Sequence, residues 1–140
     1  MPKYHNAIII DDDAIALMLC ERLLRIAGFT ENVKSFDSCI HALNWITDNF
    51  ESKPVLPDIV LLDLHLPKMD GFSFLQKIEE LFGKGLVPDV FVLSSTFFVD
   101  DEQRLNQYPF VKKIIIKPLT IKDLDTGLES THHQDVYAPL

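Results

Sequence analysis

Tyr4-His5-Asn6-Ala7-Ile8-Ile9-Ile10-Asp11-Asp12-Asp13 is the stretch on which the fold class turns. The run closing on Ile8-Ile9-Ile10 is short, β-branched and without a polar face. Those properties predict a strand buried on both faces, as in a parallel sheet covered by helices on each side. Three carboxylates follow at once, so whatever the strand delivers at its carboxyl end is acidic.

Outward from this strand, short apolar runs alternate with amphipathic ones. Ala16, Leu19, Cys20, Leu23 and Ala27 fall at helical spacing, and Gly28 stops the stripe. Val33 to Phe36 predicts a second strand, and Asp37 a cap for a helix with the stripe Cys39, Ala42, Leu43, Ile46 and Phe50. Pro54 and Pro57 break the chain before the strand Ile59-Val60-Leu61-Leu62. A helix carrying Phe72, Leu75, Ile78 and Phe82 ends at Gly83 and Gly85. Val90 to Leu93 and Lys112 to Ile116 read as strands, with a weaker acidic helix from Asp100 to Gln107 between them. Thr120 caps a last helix with Ile121, Leu124 and Leu128 on one face. Five strands alternating with five helices predict parallel β-α-β units, an α/β doubly wound five-stranded sheet with helices on both faces. One domain is expected over residues 4–130, followed by a polar tail over 131–140.

Composition agrees with one domain. The chain has 140 residues, 47% of them hydrophobic, enough for a core without disulfides or a structural metal. Its 13 Lys and Arg oppose 21 Asp and Glu, a net charge of −8. That balance disfavours direct nucleic-acid binding and adhesion to an anionic membrane, both of which want a basic excess. Cys20 and Cys39 lie in helical patterns and read as buried thiols. No apolar run approaches the length of a membrane span or a secretory signal, so a cytoplasmic location is expected.

In open parallel sheets, ligands sit beyond the carboxyl ends of the strands. Those ends carry Asp11, Asp12 and Asp13; Asp63; Ser94, Ser95 and Thr96; and Lys117 with Pro118. Carboxylates gathered there repel by about 4 kcal/mol per pair at 4 Å and an effective dielectric near 20. They call for a counter-cation, for which Mg²⁺ is the apt hard ion and Lys117 a second positive charge. Carboxylates, a divalent ion, a hydroxyl and a lysine together suit phosphoryl transfer to a carboxylate.

The motifs Ile10-Asp11-Asp12-Asp13, Asp58-Ile59-Val60-Leu61-Leu62-Asp63-Leu64-His65-Leu66-Pro67-Lys68-Met69-Asp70-Gly71, Leu93-Ser94-Ser95 and Lys117-Pro118, in this order, resemble the receiver domain of two-component response regulators. The resemblance runs over about residues 4 to 130 and is closest in kind to single-domain, chemotaxis-type regulators. It implies a flavodoxin-like strand order, 2-1-3-4-5. It implies that Asp63 is the phosphoacceptor, that Asp12 ligates Mg²⁺ with Asp11 holding metal-bound water, and that the His65 backbone carbonyl is a further ligand. Ser94 would meet the phosphoryl group, with Lys117 paired to it, and a cis peptide bond would precede Pro118. A histidine kinase or histidine phosphotransfer protein would be the donor, and a downstream protein the reader. Such a chain is a switch that catalyses only its own phosphorylation and dephosphorylation.

Two departures stand out. The family's usual aromatic three residues before the lysine is Ile114 here. No output domain is expected after the tail, so the chain reads as a single-domain receiver or a piece of a longer regulator. Other readings stay open: Ser95 or Thr96 in place of Ser94, an exposed patch at Phe97 and Phe98, and His132-His133 as tail residues. A phosphorylation-independent protein-binding module on the same fold is the alternative function. An Asp-nucleophile phosphatase would want a second acid where His65 stands, and a flavin site would want a phosphate-cradling loop where the chain is acidic.

Overall fold

The computed structural model describes residues 3–66, 68–83, 85–96 and 99–125. Along them run β1 (Tyr4–Ile10), α1 (Ala14–Ile26), β2 (Thr30–Phe36), α2 (Cys39–Asp48), β3 (Ile59–Asp63), α3 (Gly71–Phe82), β4 (Asp89–Ser94), α4 (Val99–Leu105), β5 (Val111–Ile116) and α5 (Ile121–Asp125), with a 3-10 turn at Lys53–Val55. The strands form one parallel sheet in the order β2-β1-β3-β4-β5.

Alternation along the strands feeds two cores, one on each face of the sheet. Ile8, Ile10, Val60, Leu62, Val90 and Val92 pack with Cys39, Ala42 and Ile46 of α2 and Phe74, Leu75 and Ile78 of α3. Ala7, Ile9, Ile59, Leu61, Phe91 and Leu93 pack with Cys20 and Leu24 of α1 and Leu124 of α5. Ile9, Ile10, Leu61 and Leu62 are wholly buried, as expected of strands covered on both sides. The register sets Ile10 beside Phe36 and Leu62, Asp63 beside Leu93, and Ser94 beside Ile116. The carboxyl ends therefore finish along one edge, and the strand order reverses between β1 and β3, where such sheets open a crevice.

Local details differ from the sequence expectations. On α1 the expected stripe holds at Cys20, Leu23 and Ala27, which pack into the second core with the fully buried Leu24, whereas Leu19 is half exposed. Glu21, Arg22 and Arg25 mark the outer face, and Ile15, Met18 and Ile26 are exposed beside it, so the apolar stripe is wider than the face that is buried. Ser38, not Asp37, caps α2, its side chain accepting the His41 N–H at 3.1 Å. Asp37 instead reaches the His41 ring at 2.9 Å. On α5, Leu124 is buried but Ile121 faces outward. Thr120 does cap it: Thr120 N–H donates to Asp123 Oδ2 at 2.9 Å, and Asp123 N–H returns to Thr120 Oγ1 at 3.3 Å. β2 begins at Thr30, and α4 runs from Val99 to Leu105, ending two residues before the expected Gln107. Pro67, Phe97, Phe98, Leu128, His132, His133 and the 131–140 tail lie outside the described residues.

Candidate functional site

The three acids after β1 have three different surroundings. Asp11 is 1% exposed, its N–H still bonded to the Phe36 carbonyl at 3.1 Å. Its Oδ1 accepts the Asp13 N–H at 2.9 Å, which folds the loop back on itself. Asp12 is exposed. Asp13 is the N-cap of α1, its Oδ1 accepting the Ile15 N–H at 2.9 Å, and so serves the helix. Asp63, the last residue of β3, is 8% exposed, and its Oδ1 accepts the His65 N–H at 3.1 Å.

Lys117 joins the two buried acids. Its Nζ donates to Asp11 Oδ2 at 2.6 Å and to Asp63 Oδ2 at 3.0 Å. Its backbone is anchored by an N–H donated to the Ser94 carbonyl at 2.8 Å, and the bond to Pro118 is cis, as the resemblance implied. Ser94 is 2% exposed at the end of β4, while Ser95 and Thr96 are exposed. The Ser94 hydroxyl donates to the Thr96 carbonyl, which holds the start of the following loop.

Burial pushes the Asp63 carboxyl above its ordinary value, against the Lys117 and His65 hydrogen bonds that pull it down. Burial opposes the charged form of Lys117, yet its bonds to Asp11 and Asp63 carry it above its ordinary value. Asp11, Asp12 and Asp63 each offer an oxygen, all within 4.8 Å of one another. Three carboxylates against one ammonium leave a net charge of two negatives, with hard oxygen donors: a set suited to one divalent cation.

The loop after Asp63 is held by its own chemistry. Asp70 caps α3, accepting the Ser73 N–H at 3.0 Å. Gly71 N–H donates to the Leu64 carbonyl at 2.9 Å, and a Cβ at Gly71 would lie 3.0 Å from the Leu64 Cα and carbonyl oxygen. The Asp70-Gly71 pair therefore lets α3 approach the residue next to Asp63. Ile114 is 4% exposed within the core that contains Val92. One neighbour of the site had no sequence signal: Asp101 of α4, whose Oδ2 lies 3.2 Å from His65 Nε2.

Residues 7–129 match the response regulator receiver domain family. The chain is 31% identical over 122 residues to the probable methanogenesis regulatory protein FilR2 of Methanothrix harundinacea, covering 87% of this chain and 77% of that one. The two-component response regulator ORR22 of Oryza sativa, 34% identical over 77 residues, is far longer, the match spanning 10% of its length. Among solved structures, a two-component response regulator from Cytophaga hutchinsonii superposes with a TM-score of 0.76 at 22% identity, over 98% of this chain and 99% of that one. CheY in the CheX-CheY-BeF3-Mg²⁺ complex from Borrelia burgdorferi superposes with a TM-score of 0.69 at 22% identity, over 96% and 90% of the two chains.

Proposed function

The chain belongs to the response regulator receiver domain family, and from that premise we propose that it is a phosphorylation-dependent switch with Asp63 as the phosphoacceptor. A phosphohistidine on a histidine kinase or histidine phosphotransfer protein is the donor. A carboxylate oxygen of Asp63 forms a bond to phosphorus as the phosphorus–nitrogen bond breaks, and the imidazole leaves with that electron pair. Water later attacks the phosphorus and releases inorganic phosphate, restoring the carboxylate.

The observation that carries the reading is Lys117 Nζ held between Asp11 and Asp63 in a net-negative cluster at the strand ends. Lys117 stays charged beside the nucleophile, which supports a role in pairing with a phosphoryl oxygen. Asp11, Asp12 and Asp63, with the His65 carbonyl, would hold Mg²⁺, which when bound neutralises charge on the phosphoryl oxygens. Ser94 turns its hydroxyl from Thr96 toward the phosphoryl group. The exposed apolar side chains Ile15, Met18 and Leu19, directly after the Asp13 cap, offer the protein donor a contact surface beside the site.

Acetyl phosphate with Mg²⁺ tests the assignment. The parent is expected to gain one acyl phosphate by mass spectrometry, and Asp63→Asn none. Undiminished labelling of that variant would overturn the role of Asp63. A parent that binds neither acetyl phosphate nor beryllofluoride would instead be the phosphorylation-independent binding module.

A further inference from the structure

α4 is a short helix whose buried side chains are Glu102 and Leu105. Two of its other side chains reach toward the elements around Asp63. The Arg104 guanidinium stacks on the Phe72 ring of α3, 3.6 Å from its centroid. Asp101 Oδ2 lies 3.2 Å from Nε2 of His65, with the Asp101 side chain 17% exposed and that of His65 47% exposed. His65 in turn gives its backbone N–H to Asp63 Oδ1. A continuous polar path thus runs from α4 through one residue to the carboxylate at the end of β3.

We propose that Asp101 is a positioning residue: it holds the His65 ring against α4 and couples the placement of that helix to whether Asp63 carries a phosphoryl group. The inference rests on Asp63 being the phosphoacceptor. The need for such a tie follows from position 114. Ile114 is aliphatic and packed in the core, so it has no polar tip to carry a change from the site to the surface. The Asp101 contact supplies a polar link from α4 to the residue whose N–H is bonded to Asp63. A phosphoryl group on Asp63 adds negative charge and strong acceptor oxygens next to the His65 backbone, and these compete with Asp101 for the imidazole. Ser94 gives up its bond to the Thr96 carbonyl in the same change. The His65–Asp101 contact belongs to the resting arrangement and is given up in the phosphorylated one. Removing it shifts the population toward the phosphorylated arrangement, which binds a phosphate mimic better.

The test uses the full chain and a double-mutant cycle. Amide exchange over residues 99–105 is followed in the parent, His65→Ala, Asp101→Ala and the double variant. Each single variant is expected to exchange at least about threefold faster in α4, with the double no faster than the singles, because one contact is lost in all three. Asp101→Glu should restore the parent rate. Beryllofluoride with Mg²⁺ should bind Asp101→Ala at least about threefold more tightly than the parent, an effect that a merely structural surface contact would not produce. Additive exchange effects in the double variant, or parent-like beryllofluoride affinity in Asp101→Ala, overturn the inference while the phosphoacceptor reading stands. A parent that binds no beryllofluoride at all overturns both.

Discussion

Lys117 stands between two carboxylates that the fold has taken out of water, and its removal separates electrostatic from packing roles. In Lys117→Ala, Asp11 and Asp63 keep their burial and lose their shared cation. Breaking a buried ion pair by removing one partner costs about 3–5 kcal/mol. A divalent cation can repay that loss where the three acids meet. Thermal unfolding should therefore show a lower midpoint for the variant, and a larger upward shift on adding Mg²⁺ than the parent gives. Acetyl phosphate labelling should fall at the same time, since the amine that would face the phosphoryl oxygens is gone. An identical Mg²⁺ shift in both proteins would contradict the electrostatic account.

Two helices carry predictions of their own. At the start of α3, Gly71 is where the helix meets the Leu64 backbone, and any Cβ there must displace it by a few tenths of an ångström. Alanine is ordinarily the better helix former, yet here the added methyl should cost about 1–3 kcal/mol through overpacking. Denaturant midpoints check the sign, and slower labelling of Asp63 is expected to accompany it because Leu64 adjoins the nucleophile. On α1, Met18 is half exposed, as is Leu19, and Ile15 more so. Met18→Asp should slow phosphoryl transfer from a protein donor by about tenfold, roughly 1.4 kcal/mol of lost contact. Labelling by acetyl phosphate, which needs no docking, should be unchanged. Equal effects on both donors would place the defect in the site and not in the contact.

Over the whole molecule, the buried acids of neutral type set an alkaline limit to stability. Burial pushes the Cys39 thiol up to about 12 from its ordinary 9.0. Tyr4 is raised in the same direction by burial and by its hydrogen bond to Asp89 at 2.8 Å. Between about pH 9 and about pH 12 the unfolded chain has released protons that the folded chain retains, so stability falls as pH rises and is at its full value below that window. Urea midpoints measured from neutral pH upward should decline past about pH 9, and Cys39→Ala should flatten part of the decline. A flat profile in the parent would rule this out. Much of this architecture was legible in the chain itself. Ile8-Ile9-Ile10 and Ile59-Val60-Leu61-Leu62 could only be strands covered on both faces, and parallel strands with crossover helices send their carboxyl ends to one edge, so Asp11, Asp63, Ser94 and Lys117 had to become neighbours. The periodicities that identify these elements are local properties of the sequence. Orientation is not local. The centre of the α1 face, which buries Leu24 and leaves Leu19 half exposed, depended on what the sheet presented to it. Ile121 turned outward, and Asp101 came within reach of His65, because docking angles and loop paths are settled by packing between segments far apart in the chain. The hydrogen bonds of Lys117 to both acids needed the tertiary structure for the same reason: a spacing places a side chain at an edge, and only the assembled edge decides which atoms it meets.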